Sequence, residues 1–111
     1  MDYLGIKITP NSTSKEIAPI ALAINEMVAG LPVTMRALNK RGVRIEKGKV
    51  MDYDYSGPIL EMALETNSTI KTVPKTGTYK GIPIVVSTIK DKKGNAVAAI
   101  GVVDVIQSLE L

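Results

Sequence analysis

The chain has 111 residues and a formal net charge of +3, which fit a single domain covering 1–111. Cys and His are absent, so zinc fingers, disulfides, Cys nucleophiles, Ser-His-Asp triads and His- or Cys-held haem are excluded. No apolar run approaches the roughly 20 residues of a membrane span, and the N-terminus shows no signal-peptide pattern. We therefore expect a cytoplasmic protein with no cofactor.

The first predicted element is a helix that begins near Thr13, where Thr13 and Glu16 have capping-box spacing. The stripe expected to face the core consists of Ile17, Ile20, Ile24, Met27 and Val28. Leu22, Ala18 and Ala29 are then expected to point away from the sheet. Because an exposed apolar strip typically marks an interface, we predict a homodimer through the Thr13–Ala29 helix. In the alternative, Met1–Pro10 folds back as a strand over the strip.

The segment Val33–Arg41 is predicted as a short helix, with Thr34 as its cap and Gly42 after its end; a strand is the alternative. From Val43 the apolar period changes to two. Val43–Glu46 and Val50–Asp54 alternate, and Lys47-Gly48-Lys49 between them predicts a hairpin turn.

The second half is predicted to contain one helix and three strands. The helix runs from Ser56, its expected cap, to Thr66, with Pro58 in its first turn. The strands are Thr69–Val73, Ile82–Lys90 and Ala96–Ile106. Pairing Lys90 with Ala96, with Gly94 left-handed in the turn, would place Ile84, Val86, Ile100 and Val102 on one face. The order predicts an α+β fold with a five-stranded antiparallel sheet, a long N-terminal helix, and a helix between strands 2 and 3.

The C-terminal half resembles the end of PAS and Cache sensor domains. The resemblance rests on Gly77-Thr78-Tyr79-Lys80-Gly81 before a long strand, a turn with Asp91 and Gly94, and the small-residue strand Ala98–Asp104. The whole chain also resembles a small family of methanogenic archaea that carries no assigned activity. The PAS and Cache resemblance implies a profilin-like, PAS- or Cache-like single domain with a ligand pocket between the sheet and the middle helix.

Six residues are candidates for that pocket: Arg36, Arg44, Tyr53, Tyr55, Tyr79 and Asp104. Arginine forks and tyrosine hydroxyls are suited to a carboxylate, so the expected ligand is an organic anion. The resemblance further implies that Asp104 accepts a ligand amine. The alternatives are solvated arginines, tyrosines packed at the core edge, and an Asp104 that caps a turn at a strand end.

Other motifs predict less. Asp52-Tyr53-Asp54-Tyr55-Ser56-Gly57 matches the opening of a calcium loop, but the twelfth position is Ala63, so no metal site is predicted. The cations around Arg41 and Lys47 favour a solvated hairpin over nucleic-acid binding. No catalytic pair has a recognisable spacing, so an enzyme without His chemistry is only the third hypothesis. The leading hypothesis is a sensor-like module that binds a small molecule; the alternative is an assembly module that acts through protein pairing without a ligand.

Overall fold

The computed structural model describes residues 7–106, which fold as two helices and a six-stranded sheet. The helices are α1 (Ser14–Met27) and α2 (Pro58–Thr66). The strands are β1 (Val33–Ala37), β2 (Gly42–Glu46), β3 (Lys49–Tyr55), β4 (Ile70–Thr72), β5 (Ile84–Lys90) and β6 (Ala96–Val103). Every neighbouring pair is antiparallel, in the order β3-β2-β1-β6-β5-β4. The predicted α+β class with an antiparallel sheet is confirmed.

The predicted count of five strands is wrong, because the segment after Pro32 is the strand β1 and not a short helix. β1 hydrogen-bonds to β2 on one side and to β6 on the other, so it is a central strand. Val33 and Met35 are fully buried on one of its faces, and Thr34 is buried on the other. Burial on both faces hides the period of two that marks a half-exposed strand. The helix expected between strands 2 and 3 therefore follows the third strand, as α2.

Gly42 does not end a helix but begins β2, where the chain passes close to β1. A Cβ atom on Gly42 would lie 1.8 Å from the carbonyl oxygen of Met35 and 2.6 Å from the Cα of Arg36. Only a residue without a side chain fits against backbone at such distances. The glycine therefore serves a close approach between strands.

Helix α1 begins with the predicted capping box. The backbone N–H of Glu16 donates to Oγ1 of Thr13 at 3.3 Å, and the backbone N–H of Thr13 donates to Oε1 of Glu16 at 2.9 Å. The predicted core stripe is wrong in part, because Met27 is 76% exposed and Ala18, expected to point outward, is 5% exposed. The buried residues of α1 are Ile17, Ala18, Ala21 and Asn25. The two alanines are small, so the helix can lie close to the sheet, and the Met27 side chain at its end points into solvent.

Residues 7–10, which the alternative prediction placed in a covering strand, form no strand. The rest of that predicted Met1–Pro10 strand lies outside the described residues.

The predicted hairpin turns are confirmed. Between β2 and β3, Lys47 (φ 51°) and Gly48 (φ 76°) both take positive φ, as a two-residue type I′ turn requires. Between β5 and β6, Lys90 pairs with Ala96 and Gly94 is left-handed (φ 85°). Each turn thus matches the residues that its sequence supplies.

A β-bulge changes which residues share a face of the β5–β6 hairpin. The register shifts by one between Lys90 and Ile89, so Ile89 pairs with Ala98 instead of Val97. A shift of one residue moves side chains to the opposite face. Ile100 and Val102 therefore lie with Val85 and Ile89, and the predicted face that combined them with Ile84 and Val86 is wrong.

The two helices pack on opposite faces and on different halves of the sheet. Helix α1 contacts β1, β2 and β3 on the face that carries Met35 and Ile45. Helix α2 contacts β5 and β6 on the face that carries Val86 and Ala99. The sheet consequently separates two apolar cores, one under each helix.

A buried asparagine attaches the end of α1 to the β2–β3 turn. Asn25 is 1% exposed; its Nδ2 donates to the carbonyl oxygen of Leu31 at 2.7 Å, and its Oδ1 accepts from the N–H of Gly48 at 2.9 Å. The N–H of Lys47 donates to the carbonyl oxygen of Gly30 at 2.9 Å. These three bonds hold the helix terminus and the turn as one unit.

We predict that Asn25→Ala lowers the free energy of unfolding by about 2–3 kcal/mol, because it removes both hydrogen bonds that this buried side chain makes to the backbone of Leu31 and Gly48. Asn39→Ala is the matched control. Within residues 7–106 the Asn39 side chain bonds only the exposed Asn11, so its loss should stay below about 1 kcal/mol. Urea unfolding followed by circular dichroism measures both. Equal losses for the two variants would contradict the role given to Asn25.

Candidate functional site

The structure brings together two of the six predicted site residues, Arg44 and Tyr79, through a carboxylate that the sequence analysis did not single out. Nη1 of Arg44 donates to Oε2 of Glu46 at 2.7 Å, and the Tyr79 hydroxyl donates to the same oxygen at 2.8 Å. The Arg44 and Glu46 side chains are 23% and 29% exposed. We call Arg44, Glu46 and Tyr79 the Tyr79 cluster.

Strand register places the Tyr79 cluster beside the buried residue Thr34. Arg44 and Glu46 are two residues apart on β2, so both side chains lie on the same face. Thr34 on β1 pairs with Arg44 on one side and with Gly101 of β6 on the other. Arg44, Thr34 and Gly101 thus form one row across the sheet, on the face opposite to α1.

Tyr79 reaches this row from an irregular segment between β4 and β5, residues 74–81, which we call the Tyr79 loop. The loop closes on itself, since the N–H of Gly81 donates to the carbonyl oxygen of Pro74 at 3.0 Å. Gly77 (φ 88°) and Gly81 (φ 84°) supply the left-handed positions on either side of Tyr79. The Gly77–Gly81 motif, on which the resemblance to PAS and Cache domains partly rests, therefore lies in the loop that covers the row of Arg44, Thr34 and Gly101.

A small cavity of about 20 Å³ lies beneath Tyr79. Its walls are Pro32, Thr34, Tyr79, Ile84, Gly101, Val102 and Val103. Thr34 is 7% exposed, and within residues 7–106 its hydroxyl makes no hydrogen bond. A Cβ on Gly101 would lie 2.7 Å from Oγ1 of Thr34, so the glycine keeps the space beside that hydroxyl open. The cavity has room for about one water molecule.

Burial and hydrogen bonding change the proton affinities of the Tyr79 cluster. Burial first, and the bond to Glu46 second, raise the pKa of the Tyr79 hydroxyl well above its ordinary value. Burial alone would lower the pKa of Arg44, but its contacts with Tyr79 and Glu46 outweigh burial and raise it. The cluster is therefore a neutral tyrosine beside a charged arginine–glutamate pair at physiological pH.

Arg36 is placed differently from the prediction, because its guanidinium is used inside the protein. Its nitrogens donate to the carbonyl oxygens of Ala37 and Leu38 and, through Nη1 at 2.8 Å, to the hydroxyl of Ser56. Ser56 in turn donates to Glu61 at 2.6 Å. The cap of α2 is Gly57, with Pro58 as its first residue, so the predicted capping role of Ser56 is wrong. Arg36 connects β1 to the start of α2.

The other three candidates do not join the Tyr79 cluster. Tyr55 is 8% exposed and belongs to the core under α2, and Tyr53 is 50% exposed on the edge strand β3. Asp104 follows the last residue of β6, and its N–H donates to the carbonyl oxygen of Pro83 at 2.9 Å. The strand-end alternative describes its position, and the neighbouring Val103, instead of Asp104, lines the cavity.

The acidic and basic motifs near β3 neutralise each other. Asp52 accepts the N–H of Asp54 at 2.8 Å, and Asp54 forms an ion pair with Arg41 at 3.0 Å. No group of three or more acidic side chains able to hold a metal ion occurs in residues 7–106. Since Arg44 is likewise paired with Glu46, the basic patch around the hairpin carries less free charge than its sequence suggests.

Glu46 is the functional candidate that sequence reasoning missed. The sequence contained a signal for it. Arg44 and Glu46 are two residues apart on a predicted strand, and residues at that spacing share a face. Opposite charges at such spacing predict an ion pair. With Glu46 included, the site expected to bind an anion carries both a positive and a negative charge.

The chain belongs to a family described as uncharacterized proteins conserved in archaea (DUF2111), whose model matches residues 24–106. It is 47% identical, over 100 residues, to an uncharacterized protein of Methanocaldococcus jannaschii. The match covers 90% of this chain and 76% of that relative. The archaeal family expected from the sequence is thereby confirmed. No solved structure matches the chain.

Neither α1 nor α2, the helices of the part that the structure describes, has the length and apolar content needed to cross a membrane.

We predict that the stability of the protein falls as pH rises above about 10, the ordinary pKa of tyrosine. Because folding raises the pKa of Tyr79, its contribution is complete below that pH and is lost as the hydroxyl ionises more readily in the unfolded chain. Tyr79→Phe should flatten this alkaline decline, and the exposed control Tyr53→Phe should leave it unchanged. Denaturant unfolding at several alkaline pH values measures the slopes; identical slopes for wild type and Tyr79→Phe would refute the assignment.

Proposed function

We propose that the protein is a sensor-like binding domain, of the PAS or Cache kind, that takes a small organic molecule beneath the Tyr79 loop. The observation that carries this proposal is the Thr34 hydroxyl, which makes no hydrogen bond within the described residues and belongs to a residue that lines the cavity beneath Tyr79. No buried side-chain nitrogen or oxygen of residues 7–106 lacks a hydrogen-bond partner, so this hydroxyl is one that solvent reaches. A ligand in the cavity reaches it by the same route and bonds to it.

The Arg44–Glu46 pair does not itself line the cavity but contacts Tyr79, which does, and we use this pair to select the chemistry of the ligand. Arg44 can hold a carboxylate and Glu46 can accept from a hydroxyl or ammonium group, so the favoured head group carries both an acceptor and a donor. Ile84, Val103 and the bare backbone of Gly101 form an apolar floor for a short tail. Amino acids and hydroxy acids have this combination. The proposed ligand class is therefore narrower than the organic anions that the arginines alone predicted.

Tyr79 has to move before such a ligand enters, because the cavity beneath it holds only about 20 Å³. The Tyr79 side chain resembles the proposed ligand, because it has a hydroxyl donor at one end and an apolar ring behind it. The Tyr79 side chain therefore acts as an internal substitute that the ligand displaces from Glu46. The apparent affinity for the ligand is proportional to the fraction of molecules in which Tyr79 has left Glu46. Weakening the bond between Tyr79 and Glu46 should therefore increase the apparent affinity.

The test compares the binding of three probes, 4-hydroxyphenylacetate, L-leucine and acetate, by thermal shift and isothermal titration. Ligand binding to the native state stabilises it by mass action. We expect at least one of the first two probes to bind the wild type, and Tyr79→Phe to bind it about tenfold more tightly because the bond to Glu46 is lost. Acetate has no tail and no donor and should give no shift.

Thr34→Val provides the second arm of the test. It removes an unpaired hydroxyl and keeps the shape of the side chain, so stability should be unchanged or increased while probe affinity falls about tenfold. Tyr53→Phe is the control that should alter neither quantity. Absence of binding to both wild type and Tyr79→Phe, or binding that Thr34→Val leaves unchanged, would overturn the proposed site.

An assembly module that pairs with a protein partner and needs no ligand is the second candidate function. The observation in its favour is the exposure of large apolar side chains on one end of α1, where Met27 is 76% and the following Leu31 39% exposed. A pairing surface is compatible with either function, since a sensor domain can also be a dimer.

A further inference from the structure

The outer side of α1 forms an open groove with the β2–β3 turn. The groove encloses about 660 Å³, and its floor includes Leu22, Ala23 and Ala29 of the α1 segment with Gly48 of the turn. Two of these residues, Leu22 and Ala29, belong to the strip that the sequence analysis assigned to a dimer interface. The third member of that strip, Ala18, faces the sheet and takes no part.

The groove is held in shape by the bonds that join α1 to the turn. Oδ1 of Asn25 accepts from the N–H of Gly48, and the carbonyl oxygen of Gly30 accepts from the N–H of Lys47. Both walls are therefore fixed before any partner binds. A preformed surface loses little conformational freedom on association.

The rim of the groove carries one acid and one base. Glu26 lies on the helix side and Lys47 on the turn side, and both residues are exposed. Within residues 7–106 neither side chain forms an ion pair or a hydrogen bond. Opposite charges on the two walls of a groove can each face the opposite charge of a second copy when two such grooves meet across a two-fold axis.

Met27 supplies a protruding group beside this groove. It follows Glu26 on α1, is four residues from Ala23, and is 76% exposed. Residues four apart share a helix face, so the methionine and the small residues of the groove adjoin. The surface thus combines a flexible apolar projection with a recess lined by small side chains.

We infer that this groove binds the same groove of a second copy of the chain, in a two-fold dimer. Glu26 of each copy lies against Lys47 of the other, and Met27 of each copy fills the recess over Ala23 of the other. The small residues on α1 allow the two helices to approach closely. The dimer does not depend on a ligand and leaves the Tyr79 cluster, on the opposite face of the sheet, accessible.

Sedimentation velocity over a concentration series tests this dimer with the 111-residue chain and no ligand. The wild type is expected at twice the 11.9 kDa chain mass at micromolar concentration. Glu26→Lys places like charges against each other at both symmetric contacts, so the dissociation constant should rise about tenfold or more. The charge-exchanged double variant Glu26→Lys/Lys47→Glu should restore the dimer, because both pairs form again with their signs reversed.

Glu65→Lys is the matched control, since Glu65 is an exposed acid on the other helix and the same change of net charge there should leave the dimer intact. Circular dichroism shows that each variant is folded. A monomeric wild type would overturn the proposal. A dimer that Glu26→Lys leaves unchanged, or that the double variant fails to restore, would overturn it as well by assigning the contact to another surface.

Discussion

Within residues 7–106, α1 with 14 residues and α2 with 9 residues have to cover a six-stranded sheet with two faces, and this constraint determines the rest of the structure. Helix α1 covers β1, β2 and β3 on one face, and α2 covers β5 and β6 on the other. Each helix therefore leaves half a face of the sheet without helical cover. On the α2 side of β1 and β2, the irregular Tyr79 loop takes the place of a helix.

The residues of β1 and β2 on that half-face are matched to the Tyr79 loop that covers them. A loop brings few apolar side chains, and the strand residues beneath it are polar. Arg44 and Glu46 form an ion pair that Tyr79 joins through a hydrogen bond, and Thr34 lies beside Arg44. Half-exposed ion pairs contribute little stability on their own. The Tyr79 hydroxyl adds the contact that joins the loop to the sheet. The half-face is thus polar and closed by a single side chain, and these are the properties that make it the candidate binding site.

Local signals in the sequence predicted the parts of the fold that local chemistry determines. The Thr13–Glu16 capping box and the glycines of the two hairpin turns act over a few residues, and their structures are as expected. Long-range packing determined the parts that were predicted wrongly. β1 is central and buried on both faces, so its apolar spacing also matched a helix, and the bulge between Ile89 and Lys90 follows no turn motif.

The same distinction explains the site. Arg44 and Tyr79 could be selected by residue type, because few side chains bind anions well. Their partner Glu46 was deducible from strand alternation, whereas the pairing of Thr34 with both Arg44 and Gly101 required the strand order β2-β1-β6. Arg36 has the same chemistry as Arg44, and only its bonds to Ser56 and two carbonyl oxygens show that it connects β1 to α2.

A double-mutant cycle tests most directly whether Tyr79 closes the polar half-face through its bond to Glu46. Tyr79→Phe, Glu46→Gln and the double variant are unfolded in urea, and the cycle removes the separate effect of Glu46→Gln on Arg44. We predict a coupling energy of about 1–2 kcal/mol between the two side chains, within the range found for contacting residues. Additivity within about 0.5 kcal/mol, as for residues that do not touch, would contradict it.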